Sequence, residues 1–203
     1  MKYIFIAGAP GSKWSSVSKN IYFSPDVDRS DYSEDRLYYH DAVGYRDLMH
    51  MGAYFDPGME FDLPESLGTL TKYQAELLFN EPFSGSGVRI VKSHIFGRAE
   101  NLQYLKQHWP DCPIVLVHRG DDACLGWWVK CGHFDITYPL YDKYYVDLKT
   151  MAKKIAEQNA GIRAAMTGNT VANNRRLCTV LGIAPPDTYW QNYATSDIEV
   201  TVI

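Results

Sequence analysis

Residues 2–19 decide what this chain can become: an apolar run, a loop of glycine and proline, a lysine, several serines and then helix-compatible sequence. The run Tyr3–Ala7 is short, β-branched and aromatic, as a parallel strand buried on both faces requires. Gly8, Pro10 and Gly11 end it. Ser12, Ser15 and Ser16 are N-cap candidates for a helix through Val17 towards Ile21. Such a helix start directs backbone N–H groups and a partial positive charge into the loop, so an anion belongs there. Lys13 adds a full charge, and the expected ligand is a phosphate or a sulfate ester. The plain alternative is an ordinary strand-to-helix turn. A lysine with hydroxyls directly after the first strand weighs against it.

The rest of the composition narrows the class. At 203 residues the chain is expected to form one domain, 1–203, with 46% hydrophobic and 22% charged residues as in ordinary soluble proteins. The formal charge of −4 argues against a general nucleic-acid binder. Cys112, Cys124, Cys131 and Cys178 form no CxxC pair, and the opening apolar run is too short for a signal peptide, so free thiols in a reducing cytoplasm are expected, with no membrane span. The spacing of Cys124, Cys131 and His133 fits no usual zinc pattern, and no metal is expected. Fifteen tyrosines and five tryptophans suit either a ligand cleft and interface or a tyrosine-rich core.

After the first helix, residues 23–65 lose periodicity while staying rich in Tyr, Met and Asp, which suggests a functional insertion covering a cleft. Short helices with Tyr and Met as core, or a protein-binding surface, are the alternatives. Tyr38, Tyr39, His40, Tyr54 and Phe55 are its candidates for an acceptor pocket. A helix is expected over about 66–79, with Leu67, Leu70, Tyr73, Leu77 and Leu78 as its apolar stripe. Strands are expected at 88–94 and 112–119, helices at 99–108 and from Asp121-Asp122 onward. Strand and helix alternating in this way indicate a parallel α/β sheet, whose ligands bind at the carboxyl ends of the strands. The region from about 145 to 193 reads as helical, over about 146–167 and 171–181, and residues 198–203 as a terminal strand added at a sheet edge or in a partner, which leaves a homo-oligomer open.

Three strand ends turn polar together: Gly8–Ser16, Lys92–His94 and His118–Asp122. The loop Gly8–Ser12 followed by Lys13 resembles the phosphate-binding loop of adenylate kinases, but it lacks the glycine before the lysine and has Trp14 where that loop keeps a small residue. Lys92 and His94 stand two apart on a strand and so share a face. The pair offers a cation for a transferring anionic group and a base of near-neutral pKa for a hydroxyl. A strand-end histidine merely bonded to a neighbouring loop is the simpler reading of His94.

Taken together, Pro10-Gly11-Ser12-Lys13-Trp14-Ser15-Ser16, Lys92-Ser93-His94 and His118-Arg119-Gly120-Asp121-Asp122 resemble, in the same order, the motifs of the sulfotransferase family. That family uses 3′-phosphoadenosine 5′-phosphosulfate (PAPS) on a P-loop-like fold. The similarity covers roughly residues 1–130. It implies His94 as the base for the acceptor hydroxyl, with Lys92 and Lys13 stabilising the transferring sulfuryl group. Pro10, Gly11, Ser12, Lys13, Trp14, Ser15 and Ser16 would hold the 5′-phosphosulfate and Arg119 the 3′-phosphate. The product would be adenosine 3′,5′-bisphosphate and the acceptor a small molecule or carbohydrate. In direct register the family's loop lysine falls on Gly11, and Gly126 and Trp127 stand where its 3′-phosphate serine would be. Arg175 and Arg176 are stand-ins for its missing C-terminal basic motif. A P-loop nucleotide or small-molecule kinase and a non-catalytic P-loop-like scaffold that binds protein remain the alternatives.

Overall fold

The computed structural model describes residues 1–31, 37–40, 45–49, 52–59, 61–130, 141–187 and 197–203, with backbone alone for 37–40, 45–49 and 141–142. Its centre is the strand the sequence places first, β1 (Tyr3–Gly8), buried along its whole length. Around it lies a mixed six-stranded sheet, with seven helices among the described residues.

The chain runs from β1 through α1 (Trp14–Tyr22) to a hairpin of β2 (Leu37–His40) and β3 (Tyr45–Met49), then to β4 (Ala53–Tyr54). Next come α2 (Lys72–Asn80), β5 (Arg89–Ser93), α3 (Ala99–His108), β6 (Ile114–His118) and α4 (Asp121–Lys130). The remainder is α5 (Tyr141–Tyr145), α6 (Leu148–Ala165), β7 (Asn169–Thr170), α7 (Asn174–Leu181) and β8 (Glu199–Val202). The sheet order is β4-β5-β1-β6-β8-β7, with β4, β5, β1 and β6 parallel. β1 therefore sits between two strands that follow it in sequence, and the connection from β5 through α3 to β6 crosses over it. That crossing is the switch point of the sheet, and the carboxyl ends of β5, β1 and β6 beside it are where open α/β sheets bind ligands.

Alternation on β1 sorts the core into two faces. Ile4 and Ile6 pack with Val17 and Ile21 of α1 and Leu177 and Leu181 of α7. Tyr3, Phe5 and Ala7 pack with Ala75 and Phe79 of α2 and Leu102 and Leu105 of α3. Phe5 is ringed by Phe79, Phe96 and Trp109 at 5.5, 5.8 and 5.7 Å between centroids. Part of the chain's aromatic content is thus plain core. Helix α6 packs directly on the turn after β5: at Gly161 an added Cβ would lie 2.2 Å from the Gly97 carbonyl oxygen, so only glycine lets α6 approach this closely.

Three expectations change. The sheet is mixed, because the terminal strand β8 pairs antiparallel with β6, with Val115 opposite Val202 and His118 opposite Glu199. It also lies inside the sheet, since β7 pairs on its far side. Helix α2 starts at Lys72, where Thr71 and Gln74 form a reciprocal capping box after a short 3-10 turn at Leu67–Thr69. Leu67 and Leu70 therefore lie before the helix and do not set its stripe: α2 buries Ala75 and Phe79 and leaves Tyr73 and Leu77 exposed. Helix α6 begins two residues later than expected, where Asp147 accepts a hydrogen bond from the Thr150 N–H at 2.7 Å. Among the described residues, no helix is long and apolar enough to cross a membrane.

Candidate functional site

The loop from Gly8 to Trp14 is shaped by two residues in left-handed backbone geometry. Gly11 has φ 78° and Lys13 φ 63°. At Gly11 an added Cβ would fall 2.0 Å from the Cys124 carbonyl oxygen of α4, so no side chain fits there. Position 11, where the expected resemblance would set a lysine, is closed by packing. The loop's lysine stands two residues on, at Lys13, the residue that opens α1. None of Ser12, Ser15 and Ser16 is the N-cap of α1, and Lys13, which is, makes no side-chain cap bond. Ser15 and Ser16 instead lie in the first turn of the helix. Ser12 is fully buried with its hydroxyl unpartnered.

On the β5 side, Lys92 and His94 both reach Trp14. The imidazole stacks on the indole at 4.1 Å between centroids, and Lys92 Nζ lies 5.6 Å from the same ring. β5 stops at Ser93, and His94 has helical backbone angles before a 3-10 turn, Ile95–Gly97. His94 Nδ1 is bonded to the Gly8 carbonyl oxygen, which can only accept. Nδ1 therefore carries the hydrogen, and Nε2 of the neutral ring holds the lone pair. Burial pushes the His94 pKa down and nearby Lys92 lowers it further, against an upward pull from Asp56 and the Gly8 bond. The residue as a whole is 4% exposed.

Asp56, which the sequence reading passed over, organises this side. Its Oδ1 accepts from Ser93 Oγ at 2.8 Å and from the His94 and Ile95 N–H groups at 3.1 and 3.3 Å. Its Oδ2 accepts from the Tyr54 and Tyr145 hydroxyls at 2.8 and 3.2 Å. A fully buried carboxyl group is satisfied by five donors drawn from three segments of chain. Tyr54 in turn presents its edge to both Trp14 and His94, at 5.2 and 5.4 Å. The local signal was Asp-Pro-Gly at 56–58 after a two-residue strand, which reads as a turn and not as a hub.

On the β6 side, Arg119 donates to the Gly11 carbonyl oxygen at 2.9 Å, so the loop touches both strand ends. The guanidinium also holds Asp197 Oδ2, through Nε at 2.8 Å and Nη2 at 2.7 Å, while Lys13 Nζ binds Asp197 Oδ1 at 2.8 Å. These bonds hold the Asp197 pKa down at about 2. Trp127 carries Lys13, Arg119 and Lys130 over its ring at 5.5, 5.8 and 5.6 Å. Cations on an aromatic face thus stand where the expected resemblance would set a serine. Asn159 of α6 donates to the Arg119 carbonyl at 2.8 Å and to Asp121 at 2.6 Å, fixing the turn into α4.

The loop residues Pro10 to Ser16, Lys92, His94, Arg119 and Tyr54 therefore come together around one loop. Phe55 does not: it is fully buried on the opposite face of the sheet, against Phe61 and Phe79. Alternation forces this, since neighbouring strand residues point to opposite faces. The side chains of Tyr38, Tyr39 and His40 lie outside the described residues, as do Cys131 and His133. Arg175 and Arg176 are exposed on α7. Cys124 is buried, with its thiol pushed up to about 11 by burial, which keeps it protonated and unreactive. Among the described residues, no cluster of three or more His, Cys, Asp or Glu is placed to hold a metal ion. No family model, curated protein or solved structure matches this chain.

Proposed function

We propose that the chain is a sulfotransferase of P-loop-type fold, with residues 23–65 as its insertion, working in the cytoplasm on a hydroxyl or amine of a small molecule or carbohydrate. The observation that carries this reading is the contact of one loop with both strand ends: Gly8 and Trp14 meet His94 and Lys92, while Gly11 and Lys13 meet Arg119 and Asp197. The flanking of β1 by β5 and β6 supports the same fold.

The donor, PAPS, supplies an activated sulfuryl group with adenosine 3′,5′-bisphosphate as leaving group. His94 Nε2 accepts the acceptor's proton as the acceptor oxygen or nitrogen bonds to sulfur. The bridging oxygen of the donor keeps the electrons of the bond that breaks. Lys92, buried beside His94, faces the charge that develops on the transferring group, and the loop amides and Lys13 hold the phosphosulfate. Because His94 is held neutral by burial, it is ready to take a proton at pH 7. Trp14, stacked on the ring, must turn aside for the acceptor to reach Nε2.

A second reading rests on that same closure. With His94 under Trp14 and both Lys13 and Arg119 engaged by Asp197, the site also suits a scaffold that has kept the fold and lost the reaction. Labelled donor offered with a panel of phenols, alcohols and amines separates the two. Labelled product is expected from the native protein. Turnover should fall about a hundredfold or more in His94→Ala with bisphosphate binding intact, and near-native turnover in that variant would remove His94 from the reaction.

A further inference from the structure

We propose that the Asp197 carboxylate is a built-in occupant of an anion subsite formed by Lys13 and Arg119, and that a phosphate or sulfate group of the ligand enters by displacing it. The inference rests on the reading of the loop as an anion cradle and adds how that cradle is kept closed.

The carboxylate is bound as an incoming anion would be. One oxygen is held by the Lys13 ammonium and the other by two N–H groups of Arg119, all at 2.7–2.8 Å. Two oxygens of a tetrahedral phosphate or sulfate can take the same three bonds. The two cations are anchored without Asp197: Arg119 through the Gly11 carbonyl oxygen, and Lys13 by its place at the head of α1. Both also lie over the Trp127 ring, which stays in place when the carboxylate leaves.

The geometry makes Asp197 free to leave. Its side chain is 50% exposed, against 24% for Lys13 and 9% for Arg119, so it covers the cations from the solvent side. The ladder between β6 and β8 begins at Glu199, two residues further along, and turning Asp197 outward breaks none of its pairs. The antiparallel course of β8 brings the chain in at the carboxyl end of β6 and places Asp197 there. A second observation comes from the same loop, between Gly11, which holds Arg119, and Lys13. Ser12 is fully buried with its hydroxyl unpartnered, packed so closely over Gly8 that a Cβ there would lie 2.6 Å from Ser12 Oγ. An anion in the loop gives that hydroxyl an acceptor.

The test is calorimetric titration of the native protein, Asp197→Asn and Glu199→Gln with adenosine 3′,5′-bisphosphate and, separately, with inorganic pyrophosphate. Glu199→Gln removes one negative charge two residues away without touching Lys13 or Arg119. Asp197→Asn should bind the bisphosphate at least about fivefold more tightly, the scale of one partly exposed ion-pair network released, and Glu199→Gln should stay within about twofold of native. A parallel gain with pyrophosphate assigns the subsite to any oxyanion, and a gain with the bisphosphate alone assigns it to a nucleotide phosphate. Native binding with no gain, or a loss, in Asp197→Asn overturns the inference and leaves the anion cradle standing. An equal gain in Glu199→Gln also overturns it, as a general charge effect. Absence of binding in all three proteins rejects the cradle itself and the inference with it.

Discussion

Replacing Gly11 by alanine tests whether the loop has the shape described. The residue sits at φ 78°, and its added Cβ would lie 2.0, 2.8 and 3.1 Å from the O, C and Cα atoms of Cys124. Holding alanine in left-handed geometry costs about 1–2 kcal/mol. The contact with α4 adds to this. An ordinary Cβ contact begins near 3.4 Å, so loop and helix must part by roughly 1.4 Å, and forced repacking of this kind costs about 1–3 kcal/mol. The Arg119 bond to the Gly11 carbonyl strains with it. The sum is about 2–5 kcal/mol, a large share of the roughly 5–15 kcal/mol that stabilises a typical domain. In urea unfolding, with a slope of about 2–3 kcal/mol/M for a chain of this size, the midpoint should drop by roughly 1–2 M. A shift below about 0.3 M at unchanged slope would refute the packing of this loop against α4.

Two other perturbations probe the β5 side. Asp56→Ala strands five donors in the core and should cost about 3–5 kcal/mol by thermal or urea unfolding; Asp56→Asn, whose amide oxygen can still accept from Ser93 and the two backbone N–H groups, should lose less, and equal losses would mean the carboxylate is not the hub. His94 is held neutral by burial, so its folded pKa lies below its unfolded value of about 6.5. The unfolded chain then binds more protons between those values, and stability falls as pH drops below about 6.5, by at most about 1.4 kcal/mol per unit from this residue. His118, also pushed down by burial, adds to the same trend. Urea midpoints from pH 7.5 to 5.5 should fall less steeply in His94→Gln than in the native protein, and identical slopes would show that His94 is not buried neutral.

Much of the frame was legible because it depends on local pattern. The apolar runs at 3–7, 88–94 and 112–119 each gave a buried strand, and α3 occupies the expected residues 99–108, bounded by the Pro110 that cannot continue it. The gathering of the loop, Lys92–His94 and Arg119 followed from the rule that parallel strands present their carboxyl ends to one crevice. Other features were hidden for physical reasons. Leu67 and Leu70 precede the cap at Thr71 and so share no stripe with α2, and Thr71 was a weaker signal than those leucines. The direction of β8 is set by its partner strand and leaves no mark in its alternation. Apart from Tyr54, Asp56 and Asp197 act through partners 37 to 184 residues away in sequence, beyond the reach of spacing arguments. Gly11 looked like a missing lysine, whereas the helix packed on it explains why none can be there.

Titration calorimetry of the native protein with adenosine 3′,5′-bisphosphate, set beside ATP with Mg2+, decides whether the strand ends hold the donor proposed for them. Saturable binding of the bisphosphate with no heat from ATP–Mg is the predicted result. Binding of ATP–Mg without the bisphosphate would contradict the sulfotransferase reading in favour of a kinase, and binding of neither would leave the fold as a scaffold.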